Sequence, residues 1–71
     1  MIQMLGIKEP PRDGVVYLAV WRYDEQSWAE MWVNYDGVAY CTTEDSITSV
    51  EFGDSPPDEI KYYLVEAGVA H

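Results

Sequence analysis

The sequence predicts a small α+β fold, in which an antiparallel β-meander of three or four strands carries a C-terminal helix on one face. Two hairpin signals before residue 43, an alternation of apolar side chains between them, and helix-start signals after Ser55 predict this architecture. No repeat, low-complexity run or long linker divides the chain, so residues 1–71 are predicted to form a single domain.

The first elements are an N-terminal loop and a hairpin. Residues 6–14 contain Pro10-Pro11 and Asp13-Gly14, which favour a loop. Residues 15–23 and 28–35 are rich in β-branched and aromatic side chains, which favours two strands, and the polar run between them predicts a turn. A short helix stays open for the second segment, because Ser27 and Glu30 form a capping-box pattern and aromatic residues recur there at helical spacing. We prefer the strand.

The second hairpin turns at Asp36-Gly37, a dipeptide that tolerates the positive φ angles of a two-residue turn. Tight turns at Glu25-Gln26 and Asp36-Gly37 would place Leu18 opposite Val33, and Val33 opposite Tyr40. Residues opposite each other share a face of the sheet. The aliphatic face then contains Val16, Leu18, Val20, Ala29, Met31, Val33, Tyr35, Val38, Tyr40 and Thr42. The aromatic face contains Tyr17, Ala19, Trp21, Tyr23, Trp28, Glu30, Trp32, Asn34, Ala39 and Cys41.

The last elements are a short fourth strand and a helix. Alternation over residues 48–52 suggests the strand, although residues 44–46 could equally begin a helical turn. Ser55 is a good helix N-cap, followed by proline at the first helical position and by acidic residues that suit the helix dipole. Ile60, Tyr63, Leu64 and Ala67 form a helical stripe that Gly68 would end, and this stripe is expected to cover the aliphatic face.

Composition limits the partners. The chain has 4 Lys and Arg against 13 Asp and Glu, a net charge of −9, and is 48% hydrophobic, which is too apolar for a disordered acidic tail. Negative charge disfavours direct binding to nucleic acid or to anionic membranes and favours a basic protein or nucleoprotein partner. A single cysteine, together with the absence of a signal-peptide pattern or a long apolar run, predicts a cytoplasmic protein. A chain this short has a marginal core, so we expect either a monomer or a homodimer.

Candidates for catalysis are few. The single histidine, His71, is the final residue, and Cys41 falls on a predicted strand with no base near it in sequence. The sequence has no glycine-rich phosphate loop and no zinc-ligand spacing. We therefore expect a protein that is not an enzyme and that needs no cofactor or metal.

The acidic residues form two groups in the predicted meander. Asp24-Glu25 and Glu44-Asp45 would lie at one end of the sheet, and Asp36, Asp54 and Asp58-Glu59 at the other, about 26 Å away across an eight-residue strand. The predicted partner-binding residues are Asp24, Glu25, Glu30, Asp36, Glu44, Asp45, Asp54, Asp58, Glu59, Trp21, Trp28 and Trp32. The alternatives are that the acids serve turns and solubility, and that the rings form a second small core beneath the N-terminal segment.

The run Pro10-Pro11-Arg12-Asp13-Gly14, followed by Leu18-Ala19 and later tryptophans, resembles short uncharacterised phage and prophage proteins in which such a run leads into a β-meander. In size and acidity the chain is also similar to phage-encoded inhibitors, including anti-CRISPR proteins and other DNA mimics. This resemblance implies a mobile-element origin and assigns no role to any residue.

Charge and aromatic content together predict a protein that engages a basic nucleic-acid-binding surface by mimicking nucleic-acid charge. The resemblance to phage-encoded inhibitors implies that this surface belongs to a host protein, with a CRISPR effector as one candidate. The alternative is a small phage structural or assembly module that oligomerises through the aromatic face.

Overall fold

The residues that the structure describes form a single antiparallel sheet of six strands. A computed structural model describes residues 2–43 and 45–67. The strands are β1 (Ile2–Ile7), β2 (Val16–Tyr23), β3 (Gln26–Tyr35), β4 (Val38–Thr42), β5 (Ile47–Ser49) and β6 (Glu59–Ala67). Their order across the sheet is β1-β6-β2-β3-β4-β5. The described part of the chain contains no helix long and apolar enough to cross a membrane.

The central meander β2-β3-β4 forms as the sequence predicts. Residues 27–35 lie in a strand, so the helical alternative for them is wrong. The second turn has positive φ at both Asp36 (52°) and Gly37 (80°), and Val33 pairs with Tyr40 as expected. In the first hairpin Leu18 pairs with Met31, because the chain turns at Asp24 (φ 52°) rather than one residue later. This shift moves each partner by two residues, so every side chain keeps its predicted face.

The predicted C-terminal helix is wrong, and with it the α+β class, because residues 59–67 form strand β6 between β1 and β2. The sequence of this segment fits both periods: Ile60, Tyr62 and Leu64 alternate along one side, as a strand requires. Backbone pairing favours the strand over the helix, since β6 supplies hydrogen-bond partners to one edge of β1 and one edge of β2. Gly68, the expected helix end, lies outside the described residues.

Strands β1 and β5 complete the sheet. Sequence analysis assigned no strand before residue 15, whereas Ile2–Ile7 pairs along β6. The fourth predicted strand exists but covers Ile47–Ser49, and Val50 continues its pairing with a hydrogen bond from its backbone N–H to the carbonyl of Ala39 (2.9 Å). The register places Met4, Ile47, Tyr63 and Val65 on the aliphatic face, and Ile7, Ile60, Tyr62 and Leu64 on the aromatic face.

The core lies on the aromatic face. Tyr17 and Ala19 are fully buried, and Trp32 is 2% exposed. Phe52, from the segment between β5 and β6, covers the two tryptophans with ring centroids 5.6 Å from Trp21 and 5.9 Å from Trp32. The expectation that a helix covers the aliphatic face is therefore wrong, and the chain's own loop packs on the opposite side of the sheet.

Tyr17 makes the core sensitive to alkaline pH. Its hydroxyl donates a hydrogen bond to Asn34 Oδ1, and burial raises the pKa of this phenol from 10.0 to about 12, with the nearby Tyr62 adding to the effect. Because the raised pKa belongs to the folded state, the stabilisation that depends on the neutral Tyr17 phenol is complete below pH 10. It is lost as the pH rises towards 12.

We expect the wild-type protein to lose about 2–3 kcal/mol of unfolding free energy across this interval through Tyr17. Urea unfolding at a series of pH values measures the loss. Tyr17→Phe is the matched variant, and its stability is expected to fall less over the same interval. Identical pH profiles for the two proteins would contradict the assignment.

Candidate functional site

A groove of about 470 Å³ opens on the aromatic face. Strands β2 to β5 form its floor, and the segment that follows β5 forms one side. Its lining residues are Trp21, Tyr23, Glu30, Cys41, Thr48, Ser49, Val50, Glu51 and Phe52.

The segment that forms the side of the groove crosses the sheet because of the strand order. The chain leaves β5 at one edge and must pass β4, β3 and β2 before it enters β6. Residues 50–58 make this crossing, and hydrogen bonds hold its far end to β2. Tyr23 Oη donates to the carbonyl of Ser55 (2.7 Å), and the backbone N–H of Asp58 donates to the carbonyl of Arg22 (2.9 Å).

Three of the residues that line the groove, Trp21, Tyr23 and Phe52, are aromatic. The indoles of Trp21 and Trp28 are nearly parallel, at 15°, with centroids 6.5 Å apart, and Tyr23 meets Trp28 edge-on at 5.9 Å. Trp28 is 42% exposed and lies next to the groove through its contact with Trp21. Faces of tryptophan and tyrosine rings attract cations. Trp21 is only 9% exposed, so the rings that can receive a positively charged group here are Tyr23 and the adjoining Trp28.

Two carboxylates make the groove negative. Glu30 and Glu51 both line it, and none of the lining residues is lysine or arginine. Glu30 also accepts a hydrogen bond from the indole N–H of Trp32 (3.3 Å), which fixes it against the buried ring. Carboxylates beside aromatic faces are the surroundings that a guanidinium group prefers, because it can pair with the acid and stack on the ring.

Cys41 is the nucleophile candidate within the groove. Burial raises the pKa of its thiol, and the hydrogen bond and negative charge of Glu30 raise it further. The thiol therefore stays protonated at neutral pH, and a protonated thiol is a poor nucleophile. Within residues 2–43 and 45–67 there is also no cluster of three or more side chains suited to hold a metal ion.

One end of the sheet gathers four acids. Asp24 and Asp58 are in contact, because the backbone N–H of Asp24 donates to Asp58 Oδ2 (2.8 Å), and Glu25 and Glu59 are their neighbours in sequence. Glu59 is partly neutralised, since Lys61 Nζ lies 3.1 Å and Arg22 Nη2 3.5 Å from its carboxylate oxygens. The hydrogen bond from Lys61 is the main reason that the pKa of Glu59 is lowered.

The opposite end holds Asp36 and Asp13, where the backbone N–H of Asp36 donates to Asp13 Oδ2 (2.9 Å). The eight residues of β2 separate the two ends by about 26 Å. Sequence analysis placed Asp58-Glu59 at this end, which is wrong, because β6 begins beside Arg22 at the Asp24 turn.

The remaining predicted residues are dispersed. Asp45 is exposed in the β4–β5 connection, Asp54 is exposed in the crossing segment, and Glu44 lies outside the described residues. Of the three tryptophans, Trp21 and Trp32 are buried in the core, and Trp28 remains accessible.

Two acids of these sites, Glu51 and Asp13, are not among the residues predicted from the sequence. The alternation over residues 48–52 contained Glu51, and the Asp13-Gly14 dipeptide contained the other, but neither pattern shows what the residue will face. Comparison of the chain with protein-family models, with curated proteins and with solved structures found no match.

Proposed function

We propose that this chain is an acidic, non-enzymatic binding protein that takes up arginine side chains of a basic protein partner in the aromatic groove. The groove itself is the observation that supports this function: Glu30 and Glu51 line it together with the half-buried ring of Tyr23, with no basic side chain among its lining residues. A guanidinium that enters it exchanges water for a carboxylate and a ring face.

The acidic ends add long-range attraction. Net charge of −9 raises the rate at which a basic surface meets the protein, and this contribution falls as salt is added. Two acidic ends about 26 Å apart would meet two separate basic patches of one partner. The finer proposal is that the partner surface normally binds nucleic acid, and that the protein inhibits it by occupying that surface.

Binding of model peptides tests the groove. We expect an arginine-rich peptide to bind more tightly than a lysine-rich peptide of equal length and charge, because only guanidinium combines planar pairing with stacking. The double variant Glu30→Gln with Glu51→Gln is expected to lower the affinity for the arginine-rich peptide by at least about 10-fold, because two charged contacts are lost. Isothermal titration calorimetry measures both effects.

The matched control is Asp45→Asn with Asp54→Asn, which removes the same charge from exposed positions that do not line the groove. It is expected to change the affinity only slightly. Equal weakening by the two double variants, with no preference for arginine, would show that net charge alone governs binding.

A separate experiment tests whether the partner surface normally binds nucleic acid. The immobilised protein is incubated with nuclease-treated lysate from the source cells, and captured proteins are then challenged with duplex DNA or RNA at constant ionic strength. Nucleic acid is expected to release the partner. Capture that excess DNA and RNA both leave unchanged would reject competition for a shared surface while leaving the arginine groove intact.

A further inference from the structure

The aliphatic face is apolar and only partly covered, with Val33 buried at its middle (4% exposed) and exposed apolar side chains around it. Val16, Tyr35 and Val38 are 45%, 50% and 42% exposed, and they lie together where β2, β3 and β4 adjoin the Asp36 turn. Met4 and Ile47 extend the exposed apolar surface towards the two edges of the sheet. A sheet with one apolar face normally buries that face against a second layer.

The surface area of the chain shows how much is left uncovered. The molecule exposes 5576 Å², whereas a folded monomer of 8.1 kDa is expected to expose about 4500 Å². The excess of about 1100 Å² is larger than the roughly 800 Å² that each partner buries in an interface of standard size. Exposed Leu5 and Trp28 on the aromatic face supply part of this excess, and the aliphatic face supplies the rest. The radius of gyration, 13.0 Å, also exceeds the roughly 11 Å expected for a chain of this length.

The distribution of charge indicates what covers this face. Among the described strand residues on the aliphatic face, only Arg22, Glu59 and Lys61 are charged, and they pair with one another at one corner. The remainder is uncharged although the chain carries −9. A basic partner finds no free carboxylate there, whereas a second copy can approach without bringing like charges together.

We propose that two copies of this chain pack through their aliphatic faces to form a symmetric β-sandwich. A two-fold axis makes the same patch meet itself, and two such sheets would lie about 10 Å apart with their strands at about 30°. Tyr35, Tyr40 and Tyr63 provide aromatic area with a polar tip, a combination that is frequent at protein interfaces. Both arginine grooves then face outward, so this inference is independent of the proposed function.

Sedimentation equilibrium tests the sandwich. The wild-type protein is expected to sediment at twice the 8.1 kDa chain mass at high concentration and to dissociate on dilution. Val38→Lys is expected to raise the dimer dissociation constant by at least about 100-fold, because symmetry buries the new charge twice. Gln26→Lys, an equal charge change at an exposed position of β3 on the aromatic face, is expected to leave the dimer intact.

Two outcomes would overturn the proposal. One is a wild-type monomer at every concentration, and the other is a dimer that Val38→Lys leaves unchanged, which would place the interface elsewhere, for example at the free edge of β1. If Val38→Lys does not fold, NMR of the wild-type protein during dilution decides. The methyl signals of Val16 and Val38 are expected to shift while the indole N–H signals of Trp21 and Trp32 stay, and the reverse pattern would exclude this face.

Discussion

Trp32→Ala is expected to remove about 3–5 kcal/mol of unfolding free energy. Trp32 is 2% exposed and packs against Tyr17, Trp21 and Phe52, so truncation leaves a cavity that three large neighbours cannot close by small movements. A domain of this size has a total stability of roughly 4–10 kcal/mol, so this single substitution is expected to remove a large share of it. Urea unfolding followed by far-ultraviolet circular dichroism measures the loss.

Trp28→Ala is the matched control. It removes the same type of side chain from another aromatic-face position of β3, where the ring is 42% exposed, and about 1 kcal/mol of destabilisation is expected. Similar losses in the two variants would mean that the core is not centred on Trp32.

Tyr63→Pro is expected to destabilise the fold by at least about 3 kcal/mol. Tyr63 lies in β6, opposite Gly6 of β1 on one side and Leu18 of β2 on the other. Proline has no N–H to donate and is found in sheets almost only at edges, so it interrupts the pairing of a strand that has neighbours on both sides. Thermal unfolding by circular dichroism provides the measurement.

Tyr63→Val separates this result from the effect of proline on a helix. Valine is favoured in strands and disfavoured in helices, so its cost is expected to stay within about 1.5 kcal/mol, mainly from lost ring packing. A helical spectrum for residues 59–67 in either the wild type or the valine variant would contradict the six-stranded sheet.

The local features of this fold could be predicted because turns and side-chain alternation are encoded locally. Asp36-Gly37 determined the β3–β4 register, and an error of one residue in the other turn left both faces correct. The identity of residues 59–67 was not decidable locally, because the same apolar residues satisfy a helical and a strand period. The segment forms a strand because it supplies backbone hydrogen-bond partners to β1 and β2, which lie far from it in sequence.

The candidate site depends on the same distant pairing. Glu30 was identified because its strand and face were predictable. Glu51 enters the groove only because the chain must cross the sheet between β5 and β6, and Asp58 meets Asp24 only because β6 begins beside Arg22. If residues 59–67 formed the predicted helix, Glu51 would have no reason to enter the groove and Asp58 would not meet Asp24.

The position of β6 also determines when the sheet can finish pairing during translation. β2, β3 and β4 are consecutive and can pair as soon as they leave the ribosome, whereas β1 is synthesised first and hydrogen-bonds only to β6 among the described strands. The nascent chain must therefore carry an unpaired, uncharged segment, Ile2–Ile7, until residues 59–67 emerge. Until then, that segment is available to chaperones and to neighbouring nascent chains.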